Sequence, residues 1–153
     1  MLPRTSERVP AHTDRAVNDR IRHHTEARLA WYANNPEEID ARLDELEREW
    51  DIERTLEANG SILALTGLVL GATRSRMWFA LPTAVLGFCL QHALQGWCPP
   101  LPLFRRLGIR TQREIDEERY ALKALRGDFE GLPAQGSRRN SDGARNVLDR
   151  IRT

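Results

Sequence analysis

The sequence predicts an all-α protein: a two-helix transmembrane hairpin flanked by amphipathic cytoplasmic helices. Three observations predict it. No charged residue stands between Glu57 and Arg74, and none between Arg76 and Arg105. Only Thr73-Arg74-Ser75-Arg76 separates these apolar segments, so they must turn back on each other. The flanks carry nearly all the charge, with apolar residues at helical spacing. Whole-chain values hide this division, because 29% charged residues and a negative mean hydropathy average two charged flanks with an apolar centre.

Residues 1–12 contain two prolines and read as a flexible arm. The stretch "MLPRTSERVPAHTDR" has no apolar run, so no signal peptide is expected and insertion rests on the internal segments. Residues 13–57 read as charged cytoplasmic helices. The first starts at Thr13 or Asp14, carries Val17, Ile21, Thr25 and Leu29 on one side, and ends near Asn34 and Asn35. The second starts at Asn35-Pro36-Glu37-Glu38, with Asn at the cap, Pro at the first helical position and Glu three residues after the cap. Ile39, Leu43, Leu46 and Trp50 then form a narrow stripe that suits one partner helix, with Ile115, Leu122 and Leu125 as its expected counterpart.

Residues 58–97 read as the hairpin. At about 1.5 Å per residue, Ala58–Thr73 spans roughly 24 Å and Met77–Trp97 roughly 32 Å, against a hydrocarbon core about 30 Å thick. The shorter segment needs snorkelling ends or a thinned bilayer. Trp78 and Trp97 stand at opposite ends of the second segment, as interfacial anchors do. Pro82 lies inside it, a position that membrane helices tolerate. Gly67 and Gly71 have the small-residue spacing of close helix packing, expected against Ala80, Ala84 and Gly87, with incidental glycines or a homodimer face as the alternatives.

Residues 98–130 read as an interfacial segment and a cytoplasmic helix. "CPPLPLF" is expected to run extended, because three prolines remove donors. Thr111 and Glu114 then form a capping box for a helix ending near Gly127. Residues 131–153 read as a largely disordered tail, with "VLDRIRT" as one last helical turn. Arg42, Arg48 and Arg54 precede the hairpin, Arg105, Arg106, Arg110 and Arg113 follow it, and the turn holds only Arg74 and Arg76. By the positive-inside rule both termini are cytoplasmic.

Few residues suggest chemistry. A net charge of +1 predicts no general attraction to nucleic acid, although residues 36–57 hold ten acidic and three basic side chains and 104–153 twelve basic and eight acidic. Those carboxylates are evenly spaced and read as a solvated face, and no phosphate loop or nucleophile elbow is present. Gln91, His92 and Gln95 are polar residues in a membrane helix, read as an interfacial end bonded to the first helix or to lipid; haem ligation by His92 across a dimer is the remote alternative. His23-His24 reads as solvated. Cys89 and Cys98 are nine residues apart, about 13.5 Å along a helix and on opposite faces, so they are expected as free thiols, with Cys98 accessible and Cys89 shielded by lipid or the first helix. Cys89 and His92 share a face, but two ligands do not make a structural zinc site. No metal, cofactor or enzymatic activity is expected.

The residues "GFCLQHALQGWCPPLPLFRRLGIRT" resemble the end of the YgaP-like transmembrane domain family, small hairpin proteins of the bacterial inner membrane. Cys98-Pro99 and Leu107-Gly108-Ile109-Arg110-Thr111 carry the resemblance, which covers roughly residues 50–111. The Asp-Arg pair of the family's opening is split here into Asp51 and Arg54. Some members are fused to a rhodanese sulfurtransferase domain; no such domain is read in this chain. The resemblance implies a location in the bacterial inner (cytoplasmic) membrane and no enzyme activity. The expected function is that of a structural or protein-interaction component, with the lipid bilayer and an unnamed protein as partners. The alternatives are a membrane-bound accessory in sulfur or redox chemistry using Cys98, and a soluble helical interaction module.

Overall fold

A computed structural model describes residues 6–130, so the tail expected over 131–153 lies outside the described residues. The helices are α1 (Arg8–Ala11), α2 (Arg15–Tyr32), α3 (Ile39–Arg48), α4 (Ile52–Thr73), α5 (Ala80–Gln95), α6 (Leu101–Arg106) and α7 (Gln112–Arg126). Short 3₁₀ turns, Pro36–Glu38 and Arg76–Phe79, lead into α3 and α5. The described residues contain no strand, and the protein is all-α.

Local chemistry sets most boundaries. The Asp14 carboxylate accepts from the Ala16 amide at 2.9 Å and starts α2. Asn35 does not cap α3 as expected: its amide donates back to the Trp31 carbonyl at 2.8 Å, which leaves Pro36 to open a 3₁₀ turn. At Glu49 the backbone turns extended and ends α3, and Asp51 caps α4 by accepting from the Arg54 amide at 2.8 Å. That break throws Trp50 out of the stripe. It is 49% exposed, with the Arg54 guanidinium over its ring at 4.4 Å.

Because α4 runs unbroken from Ile52 to Thr73, the boundary expected at residue 58 falls inside one helix. The helix crosses from the charged part of the molecule into the apolar hairpin. Helices α4 and α5 pack antiparallel. A β-carbon added at Gly67 would lie 2.5 Å from Pro82 Cδ and 3.2 Å from the Trp78 carbonyl, and one at Gly71 would meet the Phe79 ring at 2.8 Å. The expected small face of Ala80, Ala84 and Gly87 is not what meets them, since Gly87 has nothing within 4 Å. Backbone closeness on the α4 side is instead filled by Phe79 of the 3₁₀ turn and by Leu81 and Pro82 of α5.

The helical stretches Pro36–Thr73 and Arg76–Gln95 are each long and apolar enough to cross a membrane, by length and composition. Only 17% and 11% of their apolar windows are buried within the molecule. Ile62, Leu65, Val69, Met77, Leu86 and Leu90 all point outward.

The flanking helices form two small cores. Ile39, Leu43 and Leu46 of α3 bury against Ile115 and Leu122 of α7, with Leu29 and Tyr32 of α2 at the edge. Leu125 stays half-exposed and outside it. Val9, Ile52, Cys98 and Leu101 form the second. Two expectations change here. The arm expected over 1–12 is, from Arg8, a helical turn whose Val9 is buried. It sits on the end of α5 at Gly96, where φ is +80° and an added β-carbon would come within 2.6 Å of the Arg8 backbone. The chain after Trp97 is not extended either. Pro99 and Pro100 stand before α6 and Pro102 in its first turn, where no amide donor is needed, so three prolines start a helix instead of preventing one.

Candidate functional site

The charged residues of the flanks converge. Glu118 is completely buried, although it sits on α7 three residues after Ile115 and four before Leu122. Arg28 of α2 donates to it through Nε (3.1 Å) and Nη2 (2.8 Å), Arg42 of α3 through Nε (2.9 Å), and Arg110 through Nη1. Arg110 also grips Glu49 with two bonds of 2.7 and 2.6 Å. Nearby, the fully buried Arg105 holds both oxygens of Glu114 (2.7 and 2.8 Å), the Ile109 carbonyl and Asn18. Glu114 simultaneously closes the capping box with Thr111.

Burial alone would push the Glu118 carboxyl up. Hydrogen bonds from Arg42 and Arg28, with the charge of Arg110, outweigh it and hold the group at about 2. Glu114 is held below the usual carboxylate range in the same way, burial opposed by the Arg105 bonds. Carboxylates that remain ionised near neutral pH supply no proton, so this network is a structural clamp that joins α2, α3, α7 and the segment before α7.

A second cluster stands at the end of the hairpin. A cavity of about 540 Å³ opens between α4 and α5, closed at one end by α1 and the start of α6. Leu56, Leu63, Val85, Phe88 and Phe104 give it an apolar wall, and Arg8, Glu53 and His92 make its polar end. His92 is 8% exposed, and its Nε2 lies 2.7 Å from Glu53 Oε2. Arg8 donates through Nη2 to Glu53 Oε1 at 2.9 Å and through Nη1 to the Ala93 carbonyl at 3.0 Å. Among the described residues, two buried side-chain polar atoms have no hydrogen-bond partner: Arg8 Nε and His92 Nδ1. Both belong to residues lining this cavity.

The residues singled out by sequence fall as follows. Leu43 and Leu46 lie in the core facing α7, Trp50 outside it, and Gly67 and Gly71 at the α4–α5 contact. His92 meets the first hairpin helix through Glu53. Cys89 and Cys98 are free thiols that both line the cavity. Cys98 is 4% exposed, against the expectation of an accessible thiol, because α6 folds back and closes over it. No group of three or more His, Cys, Asp or Glu that could hold a metal is found among the described residues.

Sequence reasoning missed Arg8, Glu53, Arg105, Arg110 and Glu118. For Glu118 a signal existed, since Ile115, Glu118 and Leu122 share one helical face and the glutamate therefore points where its apolar neighbours point. Comparison with family models, with curated proteins and with solved structures returns no match for this chain.

Proposed function

We propose that this chain is an integral membrane protein without enzymatic activity, whose hairpin anchors a rigid cytoplasmic platform of helices that binds a protein partner. One observation carries the reading: the division of the molecule into a hairpin with apolar side chains facing outward and a platform with arginine–carboxylate pairs facing inward. A monomer in water rarely exposes so large a contiguous apolar surface. That weighs against the soluble interaction module. Seven arginines beside the open ends of the hairpin, against two in its turn, support cytoplasmic placement of both termini. The resemblance of Cys98-Pro99 and Leu107–Thr111 to the YgaP-like hairpins supports the bacterial inner membrane. A second reading, an accessory in sulfur or redox chemistry, draws on Cys98 lying within interaction distance of His92.

Alkaline carbonate extraction tests the main reading. The protein is expected in the pellet, and reporter tags at Met1 and Thr153 are both expected to report cytoplasm. Recovery in the carbonate supernatant overturns it.

A further inference from the structure

A cleft of about 330 Å³ opens where α2 meets α6 and the segment that follows it. Its lining is strongly basic, with six arginines and His24 against one carboxylate, Glu49. Four of the six arginines are matched. Arg28, Arg42 and Arg110 hold Glu118, and Arg105 holds Glu114. Both oxygens of Glu49 accept from Arg110, so the one acid on the wall is already neutralised. Arg20 of α2 and Arg106 of α6 are left over. Both are exposed, and among the described residues neither has an ion-pair or hydrogen-bond partner. Their helical neighbours supply none. Three and four positions away stand Ala16, Val17, His23 and His24 around Arg20, and Pro102, Leu103, Ile109 and Arg110 around Arg106.

Two free guanidinium groups on one small basic cleft call for an anion with several oxygens. Each group presents a planar fork of N–H donors that matches the paired oxygens of a phosphate. A wall lined by one sign of charge raises the local concentration of the opposite sign, and here the unmatched charge is all positive.

The mouth of the cleft selects what carries the phosphate. Leu107 lines it and is 69% exposed, and Leu103, one turn earlier on the same side of α6, is 59% exposed. Arg106 stands beside both. Phe104 lines the α4–α5 cavity with Leu63 and Val85, which lays α6 against the open end of the hairpin. Under the membrane reading that is the level of the cytoplasmic leaflet surface, where basic pockets take anionic head groups and exposed leucines meet acyl chains. An acidic protein segment would satisfy the arginines and leave the leucines uncovered. Resting on the membrane reading, we propose that this cleft binds the phosphate of an anionic phospholipid between Arg20 and Arg106, with the acyl chains against Leu103 and Leu107. Because Arg20 belongs to the platform and Arg106 to the helix at the hairpin's end, one bound lipid ties the platform to the leaflet surface.

The test uses the full chain in a zwitterionic detergent. Native mass spectrometry counts bound lipid during titration with dioleoyl phosphatidylglycerol or dioleoyl phosphatidylcholine. Phosphatidylglycerol is expected to fill a saturable site roughly thirtyfold more tightly than phosphatidylcholine. Arg20→Gln and Arg106→Gln are each expected to lower that preference about fivefold, and together to abolish it. Both side chains are exposed and unpaired, so helical circular dichroism should stay unchanged. Arg74→Gln with Arg76→Gln removes the same charge from the hairpin turn and is expected to leave the preference intact. An unchanged preference in the Arg20 and Arg106 double variant, or an equal loss in the turn variant, overturns the proposal. So does equal displacement by glycerol phosphate, which means a soluble phosphate, or by polyglutamate, which means an acidic protein segment. Micelles deliver the lipid whether or not the hairpin inserts into a bilayer. Release by carbonate therefore overturns the membrane reading, whereas a protein that stays in the pellet and shows no preference overturns the lipid site alone.

Discussion

The hairpin and the platform solve the same problem, holding helices together, with opposite materials. In the hairpin, α4 and α5 approach through Gly67 and Gly71, no ion pair joins them between Ala58 and Gln91, and the large apolar side chains turn outward. In the platform, α2, α3 and α7 meet over a small apolar core, and beside it a buried carboxylate is surrounded by three arginines. The difference follows from what lies outside. Beyond the platform is water, so burying apolar surface drives its assembly. Around the hairpin, under the membrane reading, lipid is as apolar as leucine, so close backbone contact and shape must hold it. One continuous helix, α4, belongs to both.

The largest expected effect separates the two regions by charge. Glu118→Ala leaves Arg28, Arg42 and Arg110 around a buried space with no carboxylate. Breaking such a buried cluster by removing one partner costs about 3–5 kcal/mol. The platform should lose protease resistance in detergent while hairpin fragments remain protected. Equal loss in both regions would mean that hairpin and platform fold as one unit.

Acid should act on the same boundary. The Glu118 carboxyl titrates at about 2 in the fold, against about 4.3 in an unfolded chain. Its folded value is depressed, so its contribution is complete above about pH 5 and is lost as pH falls toward 2; fully expressed, it is on the order of 3 kcal/mol. Glu114 adds in the same direction. Platform stability, followed by thermal unfolding between pH 6 and 3, should fall steadily. The hairpin segment from Ala58 to Gln91 contains no acidic side chain, its only charges being Arg74 and Arg76 in the turn, and should not follow it.

The two regions also differed in how far they could be read in advance. Apolar runs, an end-to-end pair of tryptophans and a four-residue turn made the hairpin legible, and Thr111 with Glu114 marked the start of α7. Leu43, Leu46, Ile115 and Leu122 were legible by period alone. The clamp was not. Its partners are separated by up to 90 residues, and a charged residue on a helix reads as solvated unless its position relative to the apolar stripe is weighed. Arg42 and Glu49, each three residues beyond a stripe member, carry the same overlooked sign as Glu118. Helix α6 was hidden for another reason, since prolines break a helix only beyond its first turn. The cavity's polar end joins Arg8, Glu53 and His92 across 84 residues, and no periodicity records such a meeting.

A smaller effect sharpens the account of the hairpin. Gly67→Val forces a β-carbon to within 2.5 Å of Pro82 Cδ, so the helices must separate. Overpacking of this kind costs about 1–3 kcal/mol. Gly87→Val is the control, because a β-carbon there meets nothing within 4 Å. In a thermal scan in detergent, the Gly67 variant should lower the hairpin transition and leave the platform transition in place. If the two variants behave alike, α4 and α5 do not depend on close approach, and their antiparallel packing is held by the turn alone.

The smallest effect concerns the residue on which the helical pattern and the structure part. Periodicity puts Trp50 in line with Ile39, Leu43 and Leu46, but α3 ends at Arg48 and the extended backbone at Glu49 carries the indole away from α7. Half-exposed, Trp50 lies under the Arg54 guanidinium at 4.4 Å and contributes to neither core cluster. An exposed cation–π contact is worth about 0.5–1 kcal/mol, whereas truncating a buried leucine costs about 2–5 kcal/mol. Trp50→Ala should therefore shift platform unfolding by less than about 1 kcal/mol, and Leu46→Ala, four residues away, by several times as much. Parallel thermal melts of the two variants decide the matter. A loss at Trp50 that equals the loss at Leu46 would mean that the stripe continues past Arg48 in solution, that α3 and α4 join into one helix, and that the platform hangs from the hairpin by a rigid rod instead of the capped break at Asp51.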